Sequence, residues 1–287
     1  MTRHPSSSVR HPHFALKLLA ILLFVALVFA IGAPLANAQD TDPYRGKVAI
    51  ITGSSSGLGL AYAKLAASKG MKLVLADIRP AGSKELADSI NKNGGEAVVV
   101  DVDLAIADQR PRVIDAAMKK FGRIDYLFNN AGYNYIATLE QLELAEAHRL
   151  FEVNYWAYLD LAQRAIAVMK KQGSGTIVNT ASIMGHMSGS PSNSQYSATK
   201  HAVVALFQAV EQEVKPFGIR IRIVSPGGMK TNIAKYSVGP GAEGRRNRAD
   251  NWEPPENIAR EVFEKIPGNE LVIYAGTMAK MQTRGRN

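Results

Sequence analysis

The stretch KVAIITGSSSGLGLAYAKLAASKG, residues 47–70, decides how this chain folds. Residues 48–51 are a short aliphatic run that reads as a buried strand, and residues 58–69 read as a helix. Between and into them run Thr52, Gly53, Ser55, Ser56, Gly57, Leu58 and Gly59. Three glycines let the backbone turn tightly and approach an anion, with the first amides of the helix aimed at it. Glycine and serine also build plain turns. The position after a first strand and before a first helix is what favours a pyrophosphate cradle. The spacing is G-x-x-x-G-x-G, which differs from the G-x-G-x-x-G of longer dinucleotide-binding proteins.

Outward from this loop, aliphatic runs recur at residues 72–76, 97–100, 126–128, 176–179, 220–224 and 271–274. Helical patterns separate them at residues 84–91, 112–121, 145–171 and 196–215. Such alternation specifies a parallel sheet covered on both faces. Right-handed crossovers then make it an α/β, doubly wound, Rossmann-like sheet in a single domain. Asp77 closes the second run, 18 residues after Gly59. A carboxylate there accepts hydrogen bonds from adenosine ribose hydroxyls and repels a 2′-phosphate. That favours NAD; Arg79, two residues on, offsets part of the repulsion and admits NADP.

Ser182, Tyr196 and Lys200 form a second centre, with Asn154 upstream. Tyr196 and Lys200 stand four apart in a helical segment, so they share a face. A free phenol has a pKa of about 10 and is a poor base at neutral pH. A neighbouring ammonium favours the phenolate, which makes tyrosine a usable acid–base for an alcohol or carbonyl oxygen. Ser182 follows the fifth strand, at the carboxyl edge where ligands bind, and its hydroxyl would hold the substrate oxygen. A half-buried ring beside a snorkelling lysine is the ordinary alternative for such a pair.

Taken together, these motifs resemble those of the short-chain dehydrogenase/reductase family over residues 45–276. The matching pieces are the 52–59 loop, Asn129-Asn130-Ala131-Gly132, Asn154, Ser182, Tyr196 with Lys200, and Pro226-Gly227 with Thr231. The resemblance implies an oxidoreductase that passes hydride between nicotinamide and a small alcohol or carbonyl substrate, with Tyr196 as acid–base. It also implies that Asn129 steadies the sheet and that Ala131 and Gly132 line the adenosine side. Asp101 and Val102 would flank the adenine. Asn154 would hold a water linking Lys200 to solvent, and Lys200 would bind the nicotinamide ribose. Pro226, Gly227 and Thr231 would position the nicotinamide, and the assembly would be a homo-oligomer. Two departures are visible. Ala157 stands where the family often has glycine, and residues 185–195 run about one residue longer than usual.

The N-terminus reads differently. Residues 1–17 are basic and polar, residues 18–31 are an uninterrupted apolar run of 14, and Ala36-Asn37-Ala38 follows. This is the pattern of a secretory signal peptide cleaved after Ala38, leaving the oxidoreductase domain at residues 39–287. The protein would then be exported, to a periplasm or beyond. An uncleaved membrane anchor is the competing reading, although a span needs about 20 apolar residues. Export sits awkwardly with a nicotinamide cofactor, and an exported, non-catalytic dinucleotide-binding or interaction protein on the same fold is the alternative.

The formal charge of +9 falls to 31 basic against 25 acidic residues without that segment. Apart from Arg245, Arg246 and Arg248 the charges are scattered, which argues against nucleic-acid binding. The absence of cysteine removes disulfides, thiolate metal sites and cysteine nucleophiles. None of the six histidines has zinc-site spacing, so no metal is expected. His186 reads either as a substrate contact or as a solvated loop residue. Met184, Met187 and Met229 suggest an adaptable apolar pocket. Residues 232–256 are expected to form a substrate lid, with Tyr236 and Trp252 covering the pocket.

Overall fold

Seven strands form, one for each aliphatic run: β1 (Val48–Thr52), β2 (Lys72–Asp77), β3 (Ala97–Asp101), β4 (Tyr126–Asn129), β5 (Gly175–Thr180), β6 (Ile219–Pro226) and β7 (Val272–Ala275). All neighbouring pairs are parallel, in the order β3-β2-β1-β4-β5-β6-β7. The chain therefore steps outward from β1 to β3, then returns to the other side of β1. Ligands of such sheets bind at this reversal, beyond the carboxyl ends of the strands. The structure is a computed structural model and describes residues 42–187, 189, 191–233, 235–243 and 252–283. The signal or anchor segment at 1–38 and the Arg245, Arg246, Arg248 group lie outside the described residues. From Tyr44 onward the chain is one compact unit.

Alternation along the strands divides the core into two layers. Ile50, Val74, Leu127, Ile177 and Ile221 face one side. There they meet α3 (Pro111–Phe121), α5 (Ala157–Gln172) and α6 (Ser194–Val214) through Val113, Leu161 and Phe207. Ile51, Leu73, Leu75 and Phe128 face the other side, against α1 (Gly57–Ser68), α2 (Ala81–Lys92) and α7 (Pro255–Lys265). Phe128 sits between Tyr62 of α1, 5.1 Å away, and Phe263 of α7, 5.5 Å away. Each fully buried aliphatic or aromatic side chain is worth about 1.5–3 kcal/mol, so this double burial is what holds the sheet.

Two elements differ from the sequence reading. Residues 145–171 are not one regular helix: α4 (Leu144–Phe151) passes through a π-helical turn, Glu152–Trp156, into α5. Asn154 lies in this wide turn, fully buried, with its side chain bonded to the Tyr133 amide and carbonyl. Such turns are frequent at functional sites. The second difference is α7, which starts at Pro255 and so takes the end of the expected lid. Proline at the first helical position and Glu256 in the first turn start it, and Ile258, Ala259, Val262 and Phe263 bury its face. A short helix α8 (Thr277–Thr283) closes the described chain. No helix among the described residues is long and apolar enough to cross a membrane.

Candidate active site

The carboxyl ends of the central strands open onto one cleft of about 700 Å³. Its first wall is the 53–59 loop. Gly53 has φ +67°, a conformation that favours glycine, and a Cβ there would lie 2.9 Å from Ala131 Cα. A Cβ on Gly59 would lie 2.0 Å from the carbonyl oxygen of Gly53, so the loop closes on itself only with glycine at 59. Gly57 faces Thr231 across the cleft, at 3.2 Å from the position a Cβ would take. Ser56 makes no side-chain cap to α1, which leaves the first amides of that helix free to meet an anion. Asp77 lines the same wall. Its Oδ2 accepts from the Ser55 amide at 2.9 Å and its Oδ1 from the Arg79 amide at 2.8 Å. A carboxylate has about four acceptor sites, so two remain for ribose hydroxyls. This donor set and glycine-lined approach fit a dinucleotide.

The chemistry-bearing groups converge opposite. Ser182 leaves β5 in extended conformation, and its Oγ accepts from the Met184 amide at 3.1 Å. Tyr196 and Lys200 come from one face of α6, and both line the cleft. The Ser182 side chain stands close enough to Tyr196 to act on its phenol. Lys200 is 3% exposed, and its Nζ donates to the Thr180 carbonyl at 2.7 Å. The same Nζ stands 5.6 Å from the Tyr196 ring centre and 5.4 Å from that of Tyr158. Burial pushes the Tyr196 phenol up to about 12, with the Ser182 bond pulling the other way. Burial also brings Lys200 down to about 7. This corrects the sequence expectation that the ammonium lowers the phenol. Desolvation is the leading cause for both groups, and the lysine is tied to the Thr180 carbonyl and not to the phenol oxygen.

Asn154 meets neither substrate nor cofactor wall. Its Oδ1 accepts from the Tyr133 amide at 3.2 Å, and its Nδ2 donates to the Tyr133 carbonyl at 3.1 Å and to Thr199 Oγ1 at 3.2 Å. Both amide hydrogens are committed, so a water relay from Lys200 would have to take the remaining lone pair of Oδ1. Thr52 is likewise turned away from the cleft. Its Oγ1 accepts from the Asn130 and Ala131 amides at 2.9 and 3.0 Å, clamping β1 to the end of β4. Ser55 also stands behind the wall, its Oγ 2.7 Å from Ser83 Oγ. Asn129 is buried, and its Nδ2 donates to Asn179 Oδ1 at 3.0 Å and to the Tyr158 carbonyl at 3.2 Å. Ser56, Gly57, Leu58, Ala131, Gly132, Pro226, Gly227 and Thr231 all line the cleft.

Asp101 does not. It is the last residue of β3, in register with Asp77 and exposed, while Val102 and Asp103 line the cleft. The strand runs one residue further than its aliphatic pattern suggests, which moves the acid that meets the cleft to Asp103. Arg149 holds that carboxylate at 2.8 Å. His186 neither meets the cleft nor stands free in solvent. Its Nε2 lies 2.8 Å from Ser225 Oγ and its ring 5.2 Å from that of Tyr274. Met184 and Met229 line the cleft and Met187 does not; Met278 of α8, unmarked by any motif, does. Tyr236 and Trp252 both form part of the wall, with the Arg79 guanidinium 3.9 Å over the Tyr236 ring. Among the described residues no group of His, Asp or Glu is arranged to hold a metal.

Comparison with known proteins agrees with this geometry. The family described as "short chain dehydrogenase" matches residues 47–239. An uncharacterized oxidoreductase of Thermotoga maritima is 31% identical over 228 residues, covering 79% of this chain and 85% of that one. A 2,5-dichloro-2,5-cyclohexadiene-1,4-diol dehydrogenase of Sphingobium indicum is 35% identical over 66% of this chain and 75% of its own. Among solved structures, a short-chain dehydrogenase/reductase from Burkholderia phymatum in complex with NAD superposes with a TM-score of 0.78 at 30% identity. That match covers 84% of this chain and 92% of that one. A short-chain dehydrogenase from Sphingobium yanoikuyae in complex with NADPH gives 0.72 at 26% identity, over 83% and 92%. The chain belongs to the short-chain dehydrogenase family and is a nicotinamide-dinucleotide oxidoreductase.

Proposed function

We propose that the protein interconverts an alcohol and a carbonyl with NAD(H), using Tyr196 as the acid–base. The observation that carries this is the meeting of the Ser182 and Tyr196 hydroxyls with Lys200 at one end of a cleft whose other end fits a dinucleotide. The bound nicotinamide accepts or supplies the hydride. The amides opening α1 hold the pyrophosphate, and Asp77 accepts the adenosine ribose hydroxyls. Ser182 Oγ and the Tyr196 hydroxyl bracket the substrate oxygen. With its pKa pushed up to about 12, Tyr196 stays protonated at neutral pH and is set to donate to a developing alkoxide. In the oxidative direction the phenolate, the minor form at neutral pH given the raised pKa, takes the proton of the alcohol. Lys200, Pro226, Gly227 and Thr231 position the nicotinamide end.

Asp77 supports NAD over NADP, since its carboxylate would face a 2′-phosphate. Arg79, the group that would offset this, lies against the Tyr236 ring. We also propose export through residues 1–38 and assembly as a homo-oligomer, the first from the signal pattern and the second from the family resemblance.

Tyr196→Phe is the test of the acid–base assignment. General acid–base groups contribute about 10²–10⁴-fold, so kcat/KM is expected to fall by that factor while NAD(H) binding is retained. Unchanged turnover would remove Tyr196 from the mechanism. Failure of the wild-type chain to bind either dinucleotide would favour the non-catalytic reading.

A further inference from the structure

We infer that Glu253 is a positioning residue: it fastens the C-terminal helix α8 to the nicotinamide end of the cleft and so sets the wall that Trp252 and Met278 form there. The inference rests on the oxidoreductase reading above and deepens it.

Three segments far apart in sequence meet at Glu253. Its main chain pairs with the stretch that follows β6: Met229 and Glu253 form a parallel bridge, and the Lys230 amide donates to the Glu253 carbonyl at 2.9 Å. Its side chain reaches the other way. Oε2 accepts from the amide of Thr277, the first residue of α8, at 2.9 Å. Gly276 makes room for this bond: a Cβ there would lie 2.8 Å from the same oxygen, and its φ of +85° favours glycine. One residue thus joins the chain after Pro226 and Gly227 to the start of α8.

The residues beside each joint carry the consequence. Trp252, just before Glu253, brings Cδ2 and Cε2 of its indole to 2.9 Å from the position a Cβ on Gly228 would take. Met278, just after Thr277, brings its Cβ to 2.9 Å from the corresponding position on Gly227, and the Gly228 amide donates to Met278 Sδ at 3.4 Å. Gly227 and Gly228 are therefore held between an indole and a thioether, and all four residues line the cleft while Glu253 does not. Two glycines bring no side chains to fix their own path. Nor does a helix of seven residues hold its place unaided, and Met278 is 38% exposed. The Gly276 amide is held separately by Glu261 Oε2 of α7 at 3.0 Å, and Lys280 of α8 pairs with the same carboxylate at 2.8 Å. Loss of the Glu253 side chain therefore loosens the wall without detaching α8 from α7. Gly227 is where the oxidoreductase reading puts the nicotinamide, and a misplacement of about 1 Å at a reacting centre can cost about 100-fold in rate.

The test titrates NADH into the full chain and into its Glu253→Ala, Glu253→Gln and Trp252→Phe variants, reading affinity together with energy transfer from tryptophan to the bound nicotinamide. Trp156 is the only other tryptophan, so Trp252→Phe isolates the transfer that Trp252 supplies. Glu253→Ala is expected to bind NADH within about tenfold of the wild type, the worth of one net hydrogen bond at most, because the adenosine end is untouched. Its energy transfer is expected to fall toward that of Trp252→Phe. Glutamine keeps an oxygen that accepts from the Thr277 amide, so Glu253→Gln is expected to keep the wild-type transfer. Should Glu253→Ala not fold, Thr277→Pro removes the donor of the same bond at a helix position that tolerates proline, and carries the same expectation. Wild-type transfer without the bond, a glutamine variant as impaired as the alanine one, or no contribution from Trp252 in the wild type would overturn the inference. Absence of NADH binding to the wild type would instead overturn the oxidoreductase reading beneath it.

Discussion

The two ends of the cleft are built by different means. At the dinucleotide end, main-chain atoms do the shaping. Gly59 packs on the Gly53 carbonyl, and Asp77 is held by the Ser55 and Arg79 amides at the tips of adjacent parallel strands. At the substrate end, side chains delivered by loops and the distant C-terminal helix form the wall, among them Asn134, Asn193, Trp252 and Met278. Backbone shaping restricts which residue types fit. Side-chain shaping leaves the types open and makes the pocket specific. One end therefore suits a ligand common to many enzymes, and the other suits the substrate of this one.

The largest effect is expected from Gly59→Val. A side chain 2.0 Å from a carbonyl oxygen forces the backbone to move. Overpacking alone costs about 1–3 kcal/mol, and here the loop itself is displaced. Thermal unfolding should shift downward and fluorescence titration should show dinucleotide binding lost. Binding at wild-type strength would break the comparison, since the backbone-built end would then tolerate a side chain.

Asp77→Ala comes next. A hydrogen bond to a charged group is worth about 1.5–3 kcal/mol, so NAD should bind about 10- to 100-fold more weakly while NADP gains relative to it. Parallel titrations with both dinucleotides read the ratio, and an unchanged ratio would take Asp77 out of cofactor choice.

Lys200 sits where the two ends meet, and its burial makes stability depend on pH. Its folded-state pKa of about 7 lies below the ordinary 10.5. Between those values the unfolded chain binds a proton that the folded chain does not. Stability from this group therefore rises with pH across that window, by up to about 1.4 kcal/mol per unit. The raised Tyr196 pKa acts with the opposite sign only above its ordinary value of 10. Urea unfolding between pH 6.5 and 9 should show the rise, and Lys200→Met should flatten it. Stability falling with pH in the wild type alone would place a stabilising anionic partner beside the ammonium.

The smallest effect is expected from Tyr236→Ala. A cation–π contact at an exposed site is worth about 0.5–1 kcal/mol, so losing the Arg79 stack should weaken dinucleotide binding only about two- to fivefold. A loss beyond a hundredfold would show that this side chain shapes the cofactor end as firmly as the backbone does.

The residues themselves explain what could be read in advance. Seven aliphatic runs became seven strands because a strand buried on both faces has little choice of side chain. The end of β3 was less legible because a strand end has no such restriction, and the register of Asp101 with Asp77 shows where it stops. The π turn at 152–156 left no mark, since its stabilising bonds run to Tyr133 and Thr199, distant in sequence. Asn193 escaped notice for a related reason: as the residue before a helix it looks like an ordinary cap, and only its missing cap bond sets it apart.

Sequence by itself determined the parallel sheet, the glycine loop and the Ser182, Tyr196 and Lys200 grouping, because periodicity, tight turns and one-face helical spacing are local properties of the chain. Tertiary structure decided that Tyr196 is raised and Lys200 lowered, that Thr52, Ser55 and Asn154 brace the cleft from behind, and that Asn134 and Asn193 in its wall bury carboxamide oxygens without a partner among the described residues. Desolvation and hydrogen-bond satisfaction depend on which distant segments close over a group, and neighbours in sequence do not carry that information.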